Sequence, residues 1–79
     1  MARVLMFGVL QDLAGWRTRE IDTTSLSALT DLLMTEDAVL GERLSRPGVF
    51  AVVNQTMVRT DVILAPDDEV AFVPPVSGG

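Results

Sequence analysis

Gly78 and Gly79 close the chain behind Pro74-Pro75-Val76-Ser77, and these six residues follow an apolar segment, Val70-Ala71-Phe72-Val73. Proline fixes φ and keeps its neighbours extended, so Pro74-Pro75 aims whatever follows away from the body of the domain. Four further residues reach at most roughly 13 Å, at about 3.3 Å each. Gly78 and Gly79 have no Cβ, so their backbone passes through a channel too narrow for any other residue. The chemistry this arrangement suits is delivery of an unhindered C-terminal carboxylate into the active site of another protein. A bare Gly-Gly is more often no more than a frayed end. Its place behind an apolar strand and a Pro-Pro pair is what favours delivery.

Chemistry carried out by the chain alone finds little support. Its 79 residues include no cysteine and no histidine, and all six cations are arginines. Without His, Cys or Lys the usual nucleophile–base pairs are missing, and a metal would have to be held by oxygen ligands alone. Cofactor-binding and metal-binding residues are accordingly expected to be none. Eleven acids give a net charge of −5, which disfavours a nucleic-acid backbone as partner. The apolar runs are far below the roughly 18 residues of a membrane span. The expectation is an intracellular, cytoplasmic protein with no membrane partner. Apolar residues make up 48% of the chain, a large share for so small a domain. Either the core is very full or part of that surface faces a partner.

The elements that must position the tail are legible from pattern. Arg3 to Leu10 is a continuous apolar run, as in a strand covered on both faces or giving one face to a partner. Gln11-Asp12-Leu13-Ala14-Gly15 breaks it, and residues 17 to 23 suit an exposed second strand pairing back as a hairpin. Leu26, Leu29, Leu32 and Leu33 recur at helical spacing behind Ser25, which predicts a capped helix over about 26–34. Ala28 leaves the capping box incomplete. A second short helix over Glu36 to Leu44 would use Val39, Leu40 and Leu44 as its apolar face, although Gly41 weakens it. Pro47-Gly48 is a turn, Val49 to Val53 a strand, Asn54-Gln55-Thr56 a hairpin turn and Met57-Val58 the return. Residues 61 to 64 remain ambiguous, and Glu69 to Val73 form the last strand. This order predicts an α+β domain, a mixed sheet with one main helix across one face, and the first and last strands at the centre.

Asp68-Glu69-Val70-Ala71-Phe72 running into Pro74-Pro75-Val76-Ser77-Gly78-Gly79 resembles the MoaD/ThiS group of ubiquitin-like sulfur carriers, and in particular the small subunits of molybdopterin synthase. Ala51-Val52-Val53-Asn54-Gln55-Thr56, with Val4-Leu5 and Phe7, extends the resemblance over the whole chain. It implies a ubiquitin-like β-grasp domain over residues 1–75 and a flexible Gly-Gly tail over 76–79. It also implies that the Gly79 carboxylate is adenylated by a ubiquitin E1-like activating enzyme that uses ATP, then converted to a thiocarboxylate. Gly78, Ser77, Val76, Pro75 and Pro74 would thread the tail into a large subunit, in a heterotetramer. There sulfur passes to cyclic pyranopterin monophosphate. Phe7, Met6 and Val73 are the expected partner surface, with the core as their alternative place. No cofactor is expected on this chain.

Three departures accompany the resemblance. Gln11-Asp12 stands where the group often has Arg-Glu. Asp67 stands where many members have glycine, so it must take positive φ or a different turn. Val73 replaces a frequent aromatic. A carrier for thiazole synthesis or another thiocarboxylate pathway fits the same residues, as does a ubiquitin-like protein modifier.

Overall fold

The computed structural model describes residues 1–75. The tail segment 76–79 therefore lies outside the described residues, and with it the expectations for Val76, Ser77, Gly78 and Gly79.

Five strands form one mixed sheet in the order β2-β1-β5-β3-β4. Strand β1 (Ala2–Met6) pairs antiparallel with β2 (Thr18–Ile21) and parallel with β5 (Glu69–Val73). Strand β3 (Phe50–Val53) pairs antiparallel with both β5 and β4 (Thr56–Val58). The last strand is thus the middle one and the first strand lies beside it, as their apolar content requires. Val70, Ala71 and Phe72 are all buried.

The run from Arg3 to Leu10 is not one strand. It stops at Met6, turns through Phe7 and Gly8, and continues as helix α1 (Val9–Ala14), where the sequence pattern suggested a simple break. Leu10, Leu13 and Ala14 explain the helix: they stand at helical spacing, and all three pack on the core. Gly15 then closes it in the left-handed conformation at φ 83°.

Helix α2 (Leu26–Glu36) begins where expected and runs two residues longer than the leucine pattern. Ser25 Oγ accepts the Ala28 N–H at 3.0 Å, as an N-cap should. Asp37 ends α2 and starts helix α3 (Ala38–Leu44), its carboxylate accepting the Leu40 N–H at 3.1 Å. Leu29, Leu33, Leu40 and Leu44 meet Val4, Met6, Val70 and Phe72 in a single core on one side of the sheet. Each such side chain contributes about 1.5–3 kcal/mol by leaving water. Val39 does not share in this; it is solvent-exposed.

Asn54 (φ 49°) and Gln55 (φ 70°) form the two-residue turn between β3 and β4, with both central residues at positive φ, as the twist of a tight hairpin prefers. Residues 61–64 form no strand of the sheet. Ser25 and Ile63 make an isolated bridge, Leu64 N–H donates to the Thr24 carbonyl at 2.9 Å, and Leu64 fills the core. Asp67 takes φ 72°, the positive-φ alternative of the two expected for its turn.

Candidate functional site

The site is built on β5, because that strand carries the backbone into Pro74-Pro75. β1 lies on one side of it and β3 on the other, so β5 is fixed by two ladders. One further bond continues the first ladder, from the Phe7 N–H to the Phe72 carbonyl at 3.2 Å. The chain thus leaves the sheet at a place held from both sides. Pro74 is half-buried and Pro75 is exposed. They line a groove of about 270 Å³ with Val9, Leu10, Val49 and Arg43.

Strand residues alternate between faces. Val4, Met6, Val70 and Phe72 point into the core, and the residues between them point to the other, helix-free face. The ladder register there places Leu5 beside Ala71, Ala71 beside Val52, and Val52 beside Met57. Paired residues share a face, so an apolar row crosses four strands. Nearer the tail, Val73 stands beside Phe50. In the opposite direction the row Glu20–Arg3–Glu69 is charged. The open face therefore grades from charged to apolar toward the point where the chain leaves the sheet. The Arg59 guanidinium lies 5.9 Å from the Phe50 ring centroid, adding a cation beside the apolar area.

Of the three residues expected on a partner surface, Phe7 is 38% exposed and Val73 is half-buried on the open face. Met6 is not a surface residue: it is fully buried in the core. The physical reason is the two-residue period of β1, which turns Met6 to the same core side as Val4, whereas Phe7 lies just past the end of the strand. The same period, read from Val4 and Met6 inward, points to Leu5, Phe50, Val52 and Met57, which the apolar content of the segments alone did not single out.

No group of three or more His, Cys, Asp or Glu is placed to hold a metal ion among the described residues. No helix of the described chain is long and apolar enough to cross a membrane. What the arrangement can do chemically is present an apolar sheet face and a fixed departure point for the chain.

Helices on one side of a five-stranded mixed sheet, with the last strand in the middle, define a ubiquitin-like β-grasp domain. The backbone is similar to SAMP1 from Haloferax volcanii, with TM-score 0.86 and 25% identity, covering 99% of this chain and 98% of that one. It is also similar to CysO of Mycobacterium tuberculosis, with TM-score 0.81 and 22% identity, covering 96% of this chain and 100% of the other. The model of the ThiS family matches residues 4–79. The molybdopterin synthase sulfur carrier subunit of Escherichia coli K12 is 36% identical over 81 aligned positions, which span 100% of both chains. The chain belongs to the ThiS family.

Proposed function

We propose that this chain is a sulfur carrier of the MoaD/ThiS type, and specifically the sulfur-donating small subunit of a molybdopterin synthase. The observation that carries the reading is the central strand β5 running into Pro74-Pro75 ahead of Val76-Ser77-Gly78-Gly79. Full-length similarity to a sulfur carrier subunit supports it.

The chemistry divides between this chain and its partners. A carboxylate is a poor electrophile, so the Gly79 carboxylate attacks the α-phosphate of ATP in an E1-like enzyme and releases pyrophosphate. A sulfide-level sulfur nucleophile then attacks the acyl carbon and AMP leaves, giving a thiocarboxylate. In a large subunit, within a heterotetramer, that sulfur passes to cyclic pyranopterin monophosphate, and water restores the carboxylate oxygen. The chain contributes reach through Pro74, Pro75, Val76, Ser77 and Gly78, and a docking face that includes Phe7 and Val73. It works in the cytoplasm, binds no cofactor itself, and is no catalyst alone.

Removal of Gly79 tests the role of the tail. Terminal residues ordinarily contribute little to folding, so the melting temperature should hold. Adenylation should be lost, because the acyl group then stops one residue, about 3.3 Å, short of its site. Gly78→Val should block passage with a β-branched side chain. Pro75→Gly should have a milder effect. Normal adenylation of the Gly79 deletion would overturn the assignment.

A second reading has one observation in its favour. The small archaeal modifier protein 1 of Methanosarcina acetivorans has a similar fold, with TM-score 0.81 and 21% identity, so the fold is also that of a protein named as a modifier. In that role the activated carboxylate would end in an amide bond to a lysine of another protein. Conjugates carrying this chain, rather than a sulfur-bearing product, would establish it.

A further inference from the structure

We propose that Gly8 and Gly48 form a collar that sets the direction in which the chain leaves the sheet, acting as positioning residues for the tail. They come from two separate loops, β1–α1 and α3–β3, that flank the exit from β5. A Cβ built on Gly8 would lie 3.1 Å from Pro74 Cγ and 3.8 Å from Pro74 Cδ. A Cβ built on Gly48 would lie 3.1 Å from Pro75 Cβ and 3.4 Å from Pro75 Cγ. Each proline thus rests where a glycine has left out its side chain. The two contacts are consecutive along the chain and come from opposite sides of the strand.

Both glycines hold positive φ, 57° at Gly8 and 92° at Gly48, a region that side-chain-bearing residues rarely adopt. The loops are therefore committed to glycine twice over, by conformation and by the proline seated on each. The prolines have little freedom of their own, since the ring fixes φ and the residue before a proline stays extended. A rigid dipeptide seated against two glycines gives the chain beyond it one departure angle. Residues next to both glycines, Val9 beside Gly8 and Pro47 and Val49 beside Gly48, line one groove together with the two prolines. This proposal rests on the sulfur-carrier reading only for the purpose the aim serves; the collar itself is a statement about four residues.

An added Cβ at 3.1 Å falls short of ordinary contact, so the proline must give way by a few tenths of an ångström. A displacement of about 1 Å can cost roughly 100-fold in a positioned reaction, so a shift of that smaller size should cost about 3- to 10-fold.

The test is a pair of double-mutant cycles on the full chain: Gly8→Ala with Pro74→Ala, and Gly48→Ala with Pro75→Gly. Removal of the proline atoms relieves the contact while the backbone strain at φ remains, so the cycle separates the two. Gly15→Ala is the reference for strain alone, because Gly15 has φ 83° and open space where a Cβ would lie. Two readouts are used: adenylation kinetics with the activating enzyme and ATP, and the amide resonance of Val76. The collar predicts that Gly8→Ala and Gly48→Ala lower kcat/KM for adenylation about 3- to 10-fold below Gly15→Ala. It also predicts that they move the Val76 resonance, and that both effects shrink in the matching proline backgrounds. Effects equal in the two backgrounds, or no greater than those of Gly15→Ala, would overturn it. If either glycine variant fails to fold, the other cycle decides. Failure of the unsubstituted chain to be adenylated would instead sink the carrier reading, and the Val76 shifts would still decide the collar.

Discussion

Asn54 and Asp68 lock the hairpin turn to the start of the exit strand. Asn54 Nδ2 donates to Asp68 Oδ1 at 2.9 Å, and Asn54 Oδ1 accepts the Glu69 N–H at 2.9 Å. The second carboxylate oxygen of Asp68 accepts the Ala65 N–H at 2.7 Å. One amide side chain thus satisfies β5 at its first residue while holding the acid that shapes the preceding turn. The end of β5 away from the tail is pinned by this group.

Asn54→Gly keeps the positive φ of the turn and deletes the two side-chain bonds. The melting temperature should fall by about 8 °C or more, for two net hydrogen bonds of about 1 kcal/mol each in a chain of this size. Thermal melts of the variant check this, and an unchanged midpoint would mean the bonds are replaced by water without loss.

Asp61 caps α2 from outside the helix. Its Oδ1 accepts the Ser27 N–H at 2.8 Å and its Oδ2 accepts the Ser27 hydroxyl at 2.9 Å. The backbone bond, then the hydroxyl bond, holds the Asp61 pKa below the ordinary 3.8, against a smaller opposing effect of desolvation. Asp68 is lowered too, by the Asn54 amide first and the Ala65 N–H second. A carboxyl with a depressed folded pKa stabilises the fold above its unfolded pKa, and that stability fades as pH falls through the folded value. Melting temperature should therefore be flat in these groups above about pH 5 and decline below about pH 4. Asp61→Asn should lower the neutral plateau and make the acid decline shallower, as melts across that range would show.

Gly41 sits in α3 where a helix would ordinarily favour alanine by about 1 kcal/mol. Here the sign reverses. A Cβ on Gly41 would lie 2.5 Å from Met34 Cα, a backbone atom that cannot swing aside. The overpacking cost, about 1–3 kcal/mol, exceeds the gain in helix propensity. Gly41→Ala should lower stability in a urea titration and loosen α3 from α2.

Much of this fold is readable in the residues. The leucines at 26, 29, 32 and 33 place α2, Ser25 starts it, and Val-rich 49–53 and 69–73 place two adjacent strands. The continuous apolar run 3–10 concealed a change of period: Val4 and Met6 repeat by two, whereas Leu10, Leu13 and Ala14 follow helical spacing. A run without polar residues carries no marker for where one period ends. Gly8 held that marker, but one glycine in an apolar stretch reads equally well as a bulge or a close approach. The same concealment affects the candidate site. Phe7 and Val73 can be picked out by being apolar near the exit strand, yet Met6 is equally apolar and lies in the core. Only the ladder register reveals the row from Leu5 to Met57.

The different burial of Met6 and Phe7 gives a direct comparison. Met6→Ala should cost about 2–5 kcal/mol of folding stability, as expected for a filled core position. Phe7→Ala should leave the melt nearly unchanged and weaken binding to a large subunit by about 1–3 kcal/mol. A titration and a melt on each variant separate the two, and a large loss of stability from Phe7→Ala would assign it to the core.

The central claim is that the Gly79 carboxylate is the sulfur-bearing group. Intact mass of the chain, before and after treatment with ATP, an activating enzyme and a sulfur source, tests it most directly. The expected result is replacement of one oxygen by sulfur, located to the last residue by fragmentation and absent when Gly79 is deleted. An unchanged mass with an activating enzyme that loads another family member would contradict the claim.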